Sequence, residues 1–161
     1  MMCFKTEFVT EGMYNIDNNP IGRFYIMNSG LNDMFNTTIL CIDTYENKIL
    51  SGRAYNQAFE GGIVFNSTIE LLKRLEEMLD NTQFPQAFAE KRTFWQVDSK
   101  TEPEYSADKN MTGKTATFLL RIIFRQNSSW QGSVVWCENK KVEQFRSVLE
   151  LLMLMDSAMS K

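Results

Sequence analysis

The sequence predicts an α+β fold: a duplicated β-β-β-α unit forming an antiparallel sheet backed by helices. The first observation is internal similarity. FNSTIELL at residues 65–72 aligns with FRSVLELL at residues 145–152, matching Phe65 with Phe145, Ser67 with Ser147, and Glu70-Leu71-Leu72 with Glu150-Leu151-Leu152. The same 80-residue offset, carried upstream without a gap, sets Leu40 on Leu120, Ile42 on Ile122 and Gly52 on Gly132. The second observation is a pair of capping boxes, Ser67-x-x-Glu70 and Ser147-x-x-Glu150. In each, the serine can accept from an orphan backbone N–H and the glutamate can reach back to the cap. The third is period-two alternation of apolar residues ahead of each box.

The elements follow in order. Strands are expected at 37–45, 48–56 and 62–65 in the first copy and at 116–126, 130–137 and 142–145 in the second. Asn47 and Asn127-Ser128-Ser129 mark hairpin turns, and Gly61-Gly62 a turn before a strand. The helices should begin at Thr68 and Val148, the first running to about Leu79 before the breaker at Pro85. GRFYIMNSG at residues 22–30 resembles a further strand. Residues 98–114 are polar and poor in large apolar groups, which reads as a flexible linker. The domain expectation is therefore a first copy within 1–97 that includes an N-terminal extension, a linker at 98–114 and a second copy at 115–161, or one continuous domain.

Composition removes whole classes of chemistry. There is no histidine among the 161 residues, so neither Ser-His-Asp nor Cys-His activation is available. Three isolated cysteines, Cys3, Cys41 and Cys137, cannot supply a four-cysteine zinc site, and they read as reduced thiols. Phosphate-cradling and nucleophile-elbow motifs are absent. No residue is assigned a catalytic or metal-ligating role, and no cofactor is expected. A net charge of −3 argues against general affinity for nucleic acid. No apolar run approaches the ~20 residues of a membrane span, and the start carries no signal core. The expected setting is cytoplasmic, without a membrane partner.

Alternation sorts the side chains of the strands. Phe118, Leu120, Ile122 and Phe124 should face the helices, as should Leu40, Ile42, Leu50, Gly52 and Ala54. The tryptophans of FRQNSSWQGSVVW, Trp130 and Trp136, then belong to the core. Gly52 and Gly132 either admit a helix or tryptophan close to the sheet or mark a bulge. The opposite face should carry Tyr45, Arg53, Tyr55, Arg121, Arg125 and Gln131. These six are the candidate binding residues, since arginine forks suit carboxylates, phosphates and base edges.

FPQAF, FRQNSSWQG and FRSVLELLMLMDSAM resemble segments of short uncharacterised bacterial proteins. The resemblance covers roughly the second half of the chain and implies no particular activity.

The two helices differ on their outer arc. Where the first has Lys73 and Arg74, the second has Met153 and Leu154, which makes the latter pair a candidate partner interface. The functional expectation is a non-enzymatic protein-interaction module, such as a regulator, adaptor or inhibitor. It would act on a protein partner or as a homo-oligomer through the exposed sheet face and the C-terminal helix. The alternative is nucleic-acid or nucleotide binding on the open sheet face. A third reading is a small enzyme using carboxylates or a thiol, the latter needing Cys41 or Cys137 as thiolate.

Overall fold

A computed structural model describes residues 37–59, 61–90, 92–94, 102–126 and 129–160. The strand expected at 22–30 lies outside the described residues. The elements are β1 (Thr37–Glu46), β2 (Ile49–Tyr55), β3 (Gly62–Phe65), α1 (Thr68–Thr82), β4 (Tyr105–Ser106), β5 (Ala116–Phe124), β6 (Gln131–Trp136), β7 (Lys141–Phe145) and α2 (Val148–Met159). The strands form one antiparallel sheet in the order β4-β3-β2-β1-β5-β6-β7. The architecture is thus α+β, with a single continuous sheet rather than two lobes.

Local chemistry explains the element ends. Asn47 and Lys48 both have positive φ, the conformation that closes a two-residue hairpin with the twist of its strands. Ser67 and Ser147 are extended N-caps whose hydroxyls accept from Glu70 N–H and Glu150 N–H. Each such cap is worth about 1 kcal/mol. The glutamates reach one residue further back than the cap, accepting from the N–H of Asn66 at 2.9 Å and of Arg146 at 2.7 Å. Helix α1 runs three residues past Leu79, to Thr82, and ends on Gln83 in the left-handed conformation, just ahead of Pro85.

Both helices pack on one face of the sheet, α1 over β2 and β3 and α2 over β6 and β7. Leu71 and Leu75 of α1 and Leu151 and Met155 of α2 are fully buried against Leu40, Ile42, Phe65, Phe118, Leu120, Ile122 and Phe145. Each such side chain contributes roughly 1.5–3 kcal/mol of burial. Trp130 is buried in this cluster and Trp136 packs against its margin, so both tryptophans are core.

Registers recur at the 80-residue offset. Ile42 pairs with Gly52 and Gly52 with Phe65; Ile122 pairs with Gly132 and Gly132 with Phe145. At the centre, Ile39 faces Leu119, its own counterpart at that offset, with Leu40 facing Phe118 and Thr38 facing Leu120. Each half also carries a bulge at the same place. The register slips between Ile42 and Thr44 on β1 and between Ile122 and Phe124 on β5. An extra residue, Asp43 or Ile123, therefore sits on the longer strand. Opposite each bulge stands a glycine. A Cβ on Gly52 would lie 2.0 Å from the Cys41 carbonyl oxygen, and one on Gly132 would lie 1.9 Å from that of Arg121. The glycines serve the bulge; neither a helix nor a tryptophan is what approaches them.

The bulges correct the expected side-chain directions. One inserted residue inverts the alternation beyond it. Phe124, expected in the core, is 51% exposed. Arg125, expected on the open face, is 4% exposed and reaches α1. Tyr45, also expected on the open face, reaches α2. Residues 102–114 correct the linker expectation. Tyr105 and Ser106 pair with Ile63 and Gly62, and the chain after them folds over the sheet face opposite the helices. Polar composition there reflects hydrogen bonding to the sheet.

Candidate functional site

The six candidate residues of the sheet face separate into three groups. Arg53 and Tyr55 lie on the face away from the helices, but beneath residues 108–112. The Arg53 guanidinium forks onto Asp43, with Nε 3.0 Å from Oδ2 and Nη2 3.1 Å from Oδ1. Its remaining hydrogens go to Asp108 Oδ2 at 2.6 Å and to the carbonyl oxygens of Asn110 and Thr112. Its donors are thus taken up within the fold. The hydrogen bonds that Arg53 donates to Asp43 raise its pKa further, outweighing burial. Tyr55 is buried, and its hydroxyl donates to the Asp108 carbonyl at 2.8 Å. Cys41, Tyr55 and Met111 make a second small core there, with Ile39 against it. Neither Arg53 nor Tyr55 is presented to a ligand, and a buried tyrosine ring offers no base-stacking surface. They fasten the 108–112 segment to the sheet.

Arg125 and Tyr45 form the second group, on the helix side. Arg125 Nη2 lies 2.5 Å from both Glu76 Oε1 and Asp80 Oδ1, and Nη1 donates to the Pro85 carbonyl. Burial alone would lower its pKa, but the hydrogen bonds it donates to Asp80 and Glu76 raise it. Trp130 Nε1 completes this knot by donating to Glu76 Oε2 at 2.6 Å. The Tyr45 hydroxyl donates to Asp156, which also accepts from Lys48 Nζ at 2.6 Å and from Ser160. These donors, Lys48 first, hold the Asp156 carboxyl far below the ordinary carboxylate range.

Arg121 and Gln131 remain on the face away from the helices, both half-buried. Arg121 stands between Thr37 and Ser133, and Gln131 opposite the exposed Phe124. The face between them and Arg53 is apolar: Tyr55, Ile39, Leu119, Val135 and Val142 follow one another across five strands.

Helix α2 presents the other candidate surface. Met153 is 64% exposed, whereas Leu154 packs against the edge of the core. The second exposed side chain is Leu149, at 68%, one helical turn before Met153. A shallow apolar hollow there is lined by Arg146, Leu149, Glu150, Met153, Leu154 and Ser157. The alignment of the two helices held a signal for this: Ile69 in α1 and Leu149 in α2 are both apolar and lie off the buried stripe. A further apolar area surrounds the end of β5. Ala87 bridges Arg125 and Phe88 N–H donates to the Arg125 carbonyl, next to exposed Phe124, and Phe84 and Phe88 are exposed as well.

Of the described thiols, both are held toward the protonated form. Burial pushes Cys41 and Cys137 up to about 12 each, with Arg53 only partly offsetting this at Cys41 and Glu138 adding to it at Cys137. Among the described residues no group of His, Cys, Asp and Glu could hold a metal ion, and no helix is long and apolar enough to cross a membrane. No family model, no curated protein and no solved structure matches the chain.

Proposed function

We propose that this protein is a non-enzymatic interaction module, built from a duplicated β-β-β-α unit, that binds a protein partner on the outer face of α2. The observation that carries this reading is the exposed pair Leu149 and Met153 on the side of α2 turned away from the sheet. A helix that already buries Leu151 and Met155 beneath it gains nothing within the fold from large apolar groups on top. The corresponding face of α1 carries Lys73 after Ile69, which water accepts. Methionine beside leucine suits a contact that must adapt in shape, and Arg146 and Glu150 on the rim can fix its orientation. The sheet face contributes less than its composition suggests, because Arg53, Tyr55, Arg125 and Tyr45 are engaged within the fold.

The test is affinity capture from the cell of origin at low salt, with wild type and a Leu149→Gln, Met153→Lys double variant, with and without nuclease. Wild type should retain a protein that the variant does not, nuclease should change nothing, and the two forms should unfold at the same denaturant concentration. Equal capture by both forms removes α2 as the site. Retention that disappears with nuclease replaces a protein partner by nucleic acid.

A further inference from the structure

The two outer edges of the sheet are used differently. On β3 the edge accepts another strand: Val64 N–H donates to the Glu104 carbonyl at 2.9 Å, and Gly62 and Ile63 pair with Ser106 and Tyr105. On β7, which occupies the same place at the 80-residue offset, the sheet ends among the described residues. Since Gly52 pairs with Phe65 as Gly132 pairs with Phe145, Gln144 stands where Val64 stands, and Val142 where Gly62 stands. Their backbone N–H and C=O groups therefore point outward. The inner ladder agrees. Cys137 N–H donates to the Thr117 carbonyl, so odd-numbered residues of β6 bond to β5, and even-numbered ones bond to the odd-numbered residues of β7.

Side chains on this edge are self-complementary. Lys141, Val142, Glu143 and Gln144 are all exposed, Val142 at 60%. We propose that β7 is a homodimerisation edge, pairing antiparallel with β7 of a second copy about a two-fold axis at Val142. In that register Val142 exchanges both backbone hydrogen bonds with its mate. Lys141 falls opposite the mate's Glu143, and Glu143 opposite the mate's Lys141, in the non-hydrogen-bonded positions where side chains come closest. Charge selects the register. An axis one residue further on would set Glu143 against its own mate, like charges at the closest approach. Val142 continues the apolar row Ile39, Leu119, Val135 on the face away from the helices, so the row would run through into the second copy. The result is one sheet across two chains, with α2 of each on the same side. The seam is separate from Leu149 and Met153, which stand on top of α2.

The experiment is sedimentation of the full chain over a wide concentration range. Wild type should associate reversibly to a dimer. Glu143→Lys alone, or Lys141→Glu alone, should raise the dissociation constant on the order of tenfold, and the double reversal Lys141→Glu, Glu143→Lys should restore it. Val142→Pro, which removes an outward N–H and none of the inner ladder, should weaken the dimer with the charges intact. Because Glu143 is exposed, its variant tests the seam even if the proline variant fails to fold. A wild type that stays monomeric throughout overturns the proposal, leaving the charges as a means of blunting a bare edge. So does a dimer that both single charge variants leave untouched, a double reversal that does not recover association, or a dimer that dissolves only with Leu149→Gln, Met153→Lys.

Discussion

Tyr45 near the end of β1 and Arg125 just past the end of β5, 80 positions apart, are each held by the helix of the opposite half of the chain. Arg125, one residue past β5, is held by Glu76 and Asp80 of α1, and Tyr45 on β1 by Asp156 of α2. Glu76 and Asp156 are themselves 80 positions apart. The bulges make this exchange, since without the inserted Asp43 and Ile123 both side chains would leave by the other face.

Arg125 should therefore matter more than its charge alone suggests. Arg125→Leu removes the partner of two carboxylates and the donor to the Pro85 carbonyl. A fully buried pair broken in this way costs about 3–5 kcal/mol. Glu76 and Asp80 keep some access to water, with side chains 30% and 48% exposed, so the expected loss is about 2 kcal/mol. Arg146→Ala, which breaks a solvated ion pair, should leave stability nearly unchanged. Urea unfolding midpoints of the two variants measure the contrast. Equal midpoints would mean that the Arg125 knot does not stabilise the fold.

Gly52→Ala and Gly132→Ala should be damaging to similar degrees. Each places a methyl within the radius of a backbone carbonyl oxygen that the bulge fixes, so strand must move to admit it. The expected cost is about 1–3 kcal/mol per site. Chemical denaturation reports it, and two variants as stable as wild type would show that the bulges relax freely.

The Asp156 knot should respond to acid in a definite direction. Its carboxyl is depressed in the folded chain, whereas in the unfolded chain it titrates near ~3.9. Its contribution is therefore complete above about pH 4 and is lost as pH falls through the folded value. Lys48→Ala removes the largest cause of the depression. The stability difference between wild type and Lys48→Ala should thus be larger at neutral pH than in strong acid. A difference that is constant with pH would detach Lys48 from that carboxylate.

What could be read from the residues, and what could not, divides along one physical line. Helix starts at Thr68 and Val148 rest on local chemistry, a serine followed three residues later by a glutamate, and they stand as expected. The inward set Phe118, Leu120 and Ile122 rests on unbroken alternation and also stands. Phe124, Arg125 and Tyr45 lie beyond an inserted residue, where alternation inverts. Gly52 and Gly132 were the only trace of the insertion, and a strand glycine has more than one reading. Residues 102–114 escaped for another reason. Their bonds to Arg53 run mainly through backbone carbonyls, which every residue type supplies and composition therefore cannot reveal. Met153 was found from charge loss on α2, while Leu149 was hidden by having an apolar counterpart in Ile69.

The facing of Ile39 and Leu119 at the middle of the sheet has a consequence for how the chain is made. While a ribosome is still adding the second half, β1 can pair with β2, but β5, its neighbour on the other side, has yet to be made. At ordinary translation speeds of about 5–20 residues per second, the 80 residues separating those partners take roughly 4–16 s to appear. For that interval the edge of β1 that β5 will occupy, with Leu40 and Ile42 beside it, waits for its partner strand. Closure then joins segments far apart in sequence, a slow step compared with forming either helix. A strand edge left unpaired for seconds is a ready template for wrong pairings, so the order of synthesis itself favours prompt closure of the sheet once β5 emerges.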